Sequence, residues 1–341
     1  MRYKYSKSLD FYLKTKKNFF TQNDSWLKKT LEVNHLYSAQ KKRRNCKICN
    51  TKLSDTLDFT SHNVGYVFCS FCTHLNGKFE DTKEFAKKLY ISDDGKNYSA
   101  NYLDKDFNRR TMEIYMAKID FLINNIPKKK MKILDVGCGI GYLVYASLLR
   151  NIDATGIDVS KTMIELGNNQ ISKHINKNPL IHTNENFFYE AVLKSNSNII
   201  SAIGVIEHLR EPNSFFQAFK YSKAQYLYYS IPMFSFSTIL ESISKDIFPR
   251  QLSGGHTHLF TETSIKKMNK IIGVKAIAEW RFGVDAMDLY RHMFVKIKKK
   301  KYSQKFTNYL DLFLGKNINK IQSIFDENNS CSEIHCIVSK K

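Results

Sequence analysis

The sequence predicts an α/β chain, a doubly wound, mostly parallel sheet of seven strands with a small cysteine-rich module ahead of it. Three observations carry this. From Met131 onward short apolar runs alternate with stretches of helical period; the first run, Lys132-Ile-Leu-Asp-Val136, ends in a turn with glycines at 137, 139 and 141; and Cys46-x-x-Cys49 and Cys69-x-x-Cys72 are nineteen residues apart. A strand–helix rhythm of this kind closes into a parallel sheet covered on both faces, and paired cysteines at such spacing make metal knuckles.

Taken in order, residues 1–45 are basic and aromatic with no clean period, and a short helix is expected near Trp26. Residues 46–80 hold the four cysteines. Two knuckles present four thiolates in the tetrahedral cage that zinc prefers, so Cys46, Cys49, Cys69 and Cys72 read as a closed structural zinc site in a zinc-ribbon-like module, without an open position for chemistry. His62 and His74 read first as surface histidines and second as residues that could replace a zinc ligand, and Cys138, Cys331 and Cys336 as small buried residues.

Residues 81–127 form a connector and a helix. The connector carries Asp93-Asp-Gly95 and the tyrosines 90, 98 and 102; Met112, Tyr115, Met116, Ile119, Leu122 and Ile123 then recur at helical spacing up to Pro127.

Residues 128–341 form the main domain. Strands are expected at 131–136, 153–158, 179–183, 198–204, 225–231, near 274–281 and at 333–338, with helices at 142–150, 160–173 and 212–222, the last begun by Pro212. Residues 232–260 have no regular period and read as a lid or substrate loop. Thr261 to Ser264 cap a helix that Gly273 stops. A second insertion, 283–330, contains helical stretches around 285–296 and 306–325.

The glycine turn is the expected ligand site, because residues without side chains let backbone N–H groups approach a ligand at the start of a helix. Its spacing is G-x-G-x-G, and Tyr142 stands where a dinucleotide fingerprint has its third glycine. Asp135, just ahead of the turn, would repel a pyrophosphate but suits a ligand with an ammonium and a sulfonium group, which points to S-adenosylmethionine. Asp158, ending the second strand, is placed to accept the hydroxyls of a ribose.

Leu134-Asp-Val-Gly-Cys-Gly-Ile-Gly141 resembles the first motif of class I S-adenosylmethionine-dependent methyltransferases, commonly L-D-V-G-C-G-x-G. The resemblance implies a Rossmann-like sheet, with the methionine moiety on Gly137, Cys138, Gly139 and Gly141, its amino group near Asp135 and the ribose on Asp158. It covers about residues 110–281 and the final strand. Val205-Ile-Glu-His-Leu209 resembles a motif of many small-molecule methyltransferases and should face the transferred methyl, whereas the N-P-P-Y or D-P-P-Y turn of enzymes acting on base amines is missing. The cysteine module resembles, more loosely, a zinc segment ahead of some sugar methyltransferases.

An acceptor hydroxyl or amine must lose a proton, and imidazole can take it near neutral pH; His208, His256 and His258 are the candidate bases, with Glu207 orienting a histidine or holding substrate. The adenine pocket is expected around Thr183 to Phe187.

The formal charge of +21 over 341 residues is mostly lysine. Arginine, which planar phosphate recognition favours, is sparse, so the excess reads first as a solvated surface and second as a basic face. No apolar run reaches the roughly 18 residues of a membrane span. Met1-Arg-Tyr-Lys-Tyr-Ser6 has no apolar core, so no secretion signal and a cytoplasmic location are expected. The first functional reading is methyl transfer to a small polar acceptor, a sugar or nucleotide sugar of surface polysaccharide synthesis. The alternatives are a zinc-module methyltransferase of ribosomal or transfer RNA, and a non-catalytic zinc-ribbon adaptor.

Overall fold

The computed structural model describes residues 1–90, 107–127, 130–252 and 254–341. Asp93-Asp-Gly95, Tyr98, Tyr102 and the side chain of Tyr90, all part of the expected connector, lie outside the described residues, as does Lys128.

Twelve strands are described: β1 (Arg2–Tyr5), β2 (Phe59–Ser61), β3 (Val64–Phe68), β4 (Leu75–Gly77), β5 (Lys132–Val136), β6 (Asp153–Asp158), β7 (Leu180–His182), β8 (Ile199–Ile203), β9 (Tyr226–Pro232), β10 (His258–Leu259), β11 (Val274–Phe282) and β12 (Glu333–Lys340). The main sheet has the order β1-β11-β12-β9-β8-β5-β6-β7. Strand β12 runs antiparallel to both neighbours and every other pairing in this sheet is parallel.

All seven expected strands are present, and Arg2–Tyr5 adds an eighth at the edge, beside Ala278–Arg281. The side chains of this edge strand are exposed, so no apolar pattern announced it. It is held instead by backbone pairing, by the Lys4 ammonium 3.7 Å from the Trp280 ring centre, and by the Trp280 indole N–H donating to Ser6 O at 3.0 Å.

The short helix expected near Trp26 is a 16-residue helix, Asn23–Ser38. Its buried Asn34 donates to His62 O at 2.8 Å and accepts from Gly254 N at 2.6 Å, which ties the N-terminal segment both to the cysteine module and to the first insertion.

That insertion is not an open lid. Ile247, Phe248, Leu252, Leu259 and Phe260 are buried, and Glu241, inaccessible to solvent, gathers the backbone N–H groups of Arg250, Gln251 and Leu252 at 2.7, 2.9 and 2.8 Å. Strand β10 then pairs antiparallel with β4, completing a second sheet of order β10-β4-β3-β2. Sequence periodicity did not reveal this, because a two-residue strand carries no period. His62 and His74 are likewise buried, 5% and 0% exposed, and not surface residues. Each ring is bonded inside the protein, His62 Nε2 to Ile247 O and His74 Nε2 to His258 Nδ1, both at 2.8 Å.

The helix expected over 112–123 is interrupted: a π-turn over Thr111–Tyr115 precedes the α-helix Met116–Asn125. Such turns are common where a helix borders a functional site. Among the described residues no helix is long and apolar enough to cross a membrane.

Candidate functional site

At the carboxyl edge of the parallel strands lies a cavity of about 520 Å³. The turn after β5 forms its floor. Gly137, Gly139 and Gly141 all have positive φ (67°, 55° and 81°), a conformation that L side chains rarely adopt. A Cβ on Gly137 would stand 2.6 Å from the Val205 side chain, and one on Gly141 2.7 Å from Leu180, so these two are glycines because the fold closes on them. Gly139 differs. A Cβ there would meet only the Met163 methyl at 3.6 Å, and the residue lines the cavity; its bare backbone is reserved for whatever occupies the cradle.

Asp158, ending β6, is the partner of this turn. Its Oδ2 accepts from Gly139 N at 2.8 Å and its Oδ1 from Ser160 N at 2.9 Å. Burial raises its carboxyl above the usual range while these N–H groups pull it down. Asp135 is 3% exposed and accepts from Ser201 Oγ at 2.7 Å. Burial pushes its carboxyl up to about 7, against the Ser201 bond, with the nearby Asp158 adding to the rise. Cys138 lines the cavity as well, and burial holds its thiol far above the usual range. All six expected donor-site residues are thus gathered around one turn.

The wall opposite is built from the 3₁₀ turn Ile206–His208 after β8. Glu207 is 5% exposed, its Oε2 has no hydrogen-bond partner among the described residues, and burial pushes its carboxyl up to about 8. His208 Nδ1 lies 3.0 Å from Gly255 O and His256 Nδ1 3.2 Å from Gln251 O, so in each ring Nδ1 carries the donated proton and Nε2 is the accepting nitrogen. Burial lowers the two imidazoles to about 3 and about 4, with His256 itself contributing to the lowering of His208; both are neutral throughout the physiological range. The two rings are 5.1 Å apart, and one ligand atom from each of Glu207, His208 and His256 lies within 4.8 Å of the others. Glu207 and His208 line the cavity and His256 does not, its ring lying tilted beside that of His208.

His258 is elsewhere. It is fully buried, its Nδ1 is bonded to His74 Nε2 at 2.8 Å, and its ring lies tilted against Phe260, with centres 5.4 Å apart. It joins the first insertion to the cysteine module, and the expectation that it serves as a base is corrected on that ground. Of the segment expected to form the adenine pocket, Phe187 is 55% exposed; the neighbouring Phe188 and Tyr189 line the cavity, with Val159, Ser160 and Met163.

Charged residues of the cavity that were not anticipated include Lys83, Lys87, Arg210, Lys118 and Glu333; the last two are buried against each other's charge. Burial alone would raise Glu333, but the bond from His335 Nε2 at 2.8 Å, together with Lys118 and Lys7, holds it down to about 2. Burial depresses Lys118, which Glu333 partly restores. Of this pair, only Lys118 had a signal in the sequence, and the place of Glu333 follows from the direction of its strand in the sheet. Lys118 interrupts the apolar face of its helix, and because β12 is antiparallel, its first residue sits on the ligand edge.

In the cysteine module, Cys46 and Cys72 sulfurs are 3.6 Å apart and Cys49 and Cys69 sulfurs 3.5 Å, and all four lie within 4.8 Å of one another. A tetrahedral zinc–thiolate site, with bonds near 2.3 Å, needs sulfurs about 3.8 Å apart. None of the four is in a disulfide. Asn50 and Thr73, each just past a Cys-x-x-Cys pair, have φ of 59° and 57°, the reversal that turns both sulfurs of a knuckle inward. The donor set and its spacing fit zinc.

A family described as "Methyltransferase domain" matches residues 107–279, just over half of the chain. Among solved structures, the fold is similar to magnesium protoporphyrin IX methyltransferase from Synechocystis PCC 6803 with bound SAH (13% identity, covering 76% of this chain and 100% of that one, TM-score 0.47). It is also similar to a SAM dependent methyltransferase from Archaeoglobus fulgidus (18%, 70% and 100%, 0.42) and to phosphoethanolamine N-methyltransferase 2 from Haemonchus contortus (13%, 76% and 59%, 0.43). Comparison with curated proteins gives no match.

Proposed function

The chain belongs to the methyltransferase-domain family as a class I S-adenosylmethionine-dependent enzyme, and we propose that it methylates a small polar acceptor, a sugar or nucleotide sugar, on the Glu207–His208 wall. The observation that carries this is the pairing of two unlike walls around one cavity. One is a bare glycine turn anchored to Asp158 by hydrogen bond; the other is a neutral carboxyl–imidazole cluster suited to handling an acceptor's proton.

When bound, S-adenosylmethionine supplies an activated methyl group that leaves its sulfonium for an in-line nucleophile. The chain's own residues have the remaining tasks. Gly137, Cys138, Gly139 and Gly141 hold the methionine portion, Asp135 meets its ammonium group, and Asp158 uses its remaining lone pairs for ribose hydroxyls. His208 Nε2, held as the accepting nitrogen by the bond from Nδ1 to Gly255 O, is a weak base after burial and takes the hydroxyl proton late, as the attacking oxygen becomes strongly acidic on gaining the methyl. Glu207, protonated at neutral pH, donates a hydrogen bond to the acceptor. Tyr115, Phe188 and Val205 give the cavity apolar lining, which disfavours water that would otherwise compete for the alignment of the nucleophile.

The cysteine module takes one structural zinc through Cys46, Cys49, Cys69 and Cys72. Its role is to hold the β10–β4 pairing, and with it the segment that presents Gly255 and His256 to His208. The test of acceptor class is transfer of labelled methyl from S-adenosylmethionine to parallel panels of free sugars, nucleotide sugars and transcribed RNA. Label in the sugar panel supports the reading; label confined to RNA overturns it.

A further inference from the structure

We propose that the helix Gln304–Phe313, together with Tyr302, is a docking face for the surface of an anionic membrane. The helix belongs to the second insertion, outside the strands that build the methyl-transfer site. Thr307 and Leu310 turn inward. Phe306, Tyr309 and Phe313, spaced by three and four residues, share an outer face and are 51%, 51% and 68% exposed; Tyr302, 51% exposed, packs on Phe306 with ring centres 5.1 Å apart. A helix on the surface of a soluble protein ordinarily turns polar residues outward. Here the outward face is aromatic.

The charge around it is one-sided. Between residues 296 and 320 the chain has eight lysines and a single acid, Asp311, against 53 basic and 32 acidic residues over its whole length. Lysine-rich composition therefore does not account for this segment, where acids are almost missing. Lys300, Lys301, Lys305, Lys316 and Lys320 make no ion pair among the described residues.

Exposed aromatics within a rim of unpaired lysines are what an anionic lipid surface recognises. The rings insert at the level of the headgroups, the ammonium groups meet the phosphates, and neither contribution needs a groove in the partner. A second copy of the chain is a poorer occupant, since a two-fold contact across this face would bring its own lysines against those of the other copy. No described helix is long and apolar enough to cross a bilayer, so the contact is peripheral. It would hold the enzyme against a surface where lipid-linked or membrane-assembled acceptors are found, which goes beyond the reaction proposed above and does not depend on it.

The test is sedimentation of the full chain with vesicles of phosphatidylcholine alone and of phosphatidylcholine with phosphatidylglycerol, at physiological salt. The expected result is partitioning at least about tenfold stronger onto the anionic vesicles, with Phe306→Ser/Phe313→Ser losing roughly tenfold and Lys300→Glu/Lys301→Glu removing the anionic preference. The substituted side chains are exposed or lie in the loop before the helix, and an unchanged melting temperature confirms that each variant is folded. Equal binding by wild type and the serine variant would mean only long-range attraction of a cationic protein and would overturn the proposal. So would a wild-type dimer that becomes monomeric in the serine variant, because the face would then belong to a second copy.

Discussion

Gly139 gives its backbone N–H to Asp158 Oδ2 at 2.8 Å, so the turn after β5 and the carboxylate ending β6 form one unit. Removing either half disturbs both the shape of the cradle and its charge. Asp158→Ala is expected to weaken S-adenosylmethionine binding by roughly 10- to 100-fold, the loss of charge-assisted bonds worth about 1.5–3 kcal/mol. Gly139→Val is expected to abolish measurable binding, since a β-branched residue is strained at φ 55° and its side chain enters the cradle. Calorimetric titration with circular dichroism as a folding control measures both, and unchanged affinity would remove the donor assignment.

Donor binding should strengthen as pH rises. Burial holds Asp135 protonated up to about pH 7, with Asp158 opposing and Lys118 favouring its ionisation, whereas the ligand's ammonium group prefers the carboxylate. The raised value places the ionised form mainly above pH 7, so affinity grows from pH 6 to pH 8 by roughly tenfold and binding releases a proton in the lower part of that range. Asp135→Asn should bind weakly and with a flat profile. A wild-type profile as flat as the variant's would show that this carboxyl does not meet the ligand's charge.

His208 and His258 should respond oppositely to truncation. His208→Ala is expected to lower kcat by about 10²- to 10⁴-fold with little change in melting temperature. His258→Ala leaves His74 Nε2 buried without its partner, which costs roughly 1–3 kcal/mol of stability, and should affect turnover only through unfolding. Steady-state kinetics beside thermal melts decides between the two roles, and a selective kcat defect in the His258 variant would restore it to the chemistry.

Elemental analysis is expected to find about one zinc per chain. Cys46→Ser/Cys69→Ser should lose the metal and loosen the β10–β4 pairing, and with it the carbonyl of Gly255 that orients His208. Protection of the 255–260 amides from hydrogen exchange reads this directly. A metal-free wild type with the same protection would refute a structural role for zinc.

How much was legible follows from the range of each interaction. The glycine turn, the cysteine knuckles and the capping of the helix Glu262–Ile272 are local devices, whose residue types answer to a backbone angle or to a terminus a few residues away. Burial on both faces of the parallel strands likewise leaves an apolar run that needs no partner to be recognised. Strand β1 left no such trace, because an exposed edge strand is held by hydrogen bonds that any sequence can make. Nor did the role of His258, since its sequence neighbourhood is the same whether it faces substrate or His74.

The sequence by itself therefore determined the seven core strands and three helices between 142 and 222, the glycine turn and the four-sulfur cluster, because each is written in residues close together in the chain. The tertiary structure alone decided which imidazole borders the cavity, and it brought Lys118 and Glu333 to one wall with Asp135. It also fixed their protonation. Solvent exclusion and the approach of distant charges set whether a carboxyl or an imidazole is ionised, and both arise only when segments far apart in the chain pack together.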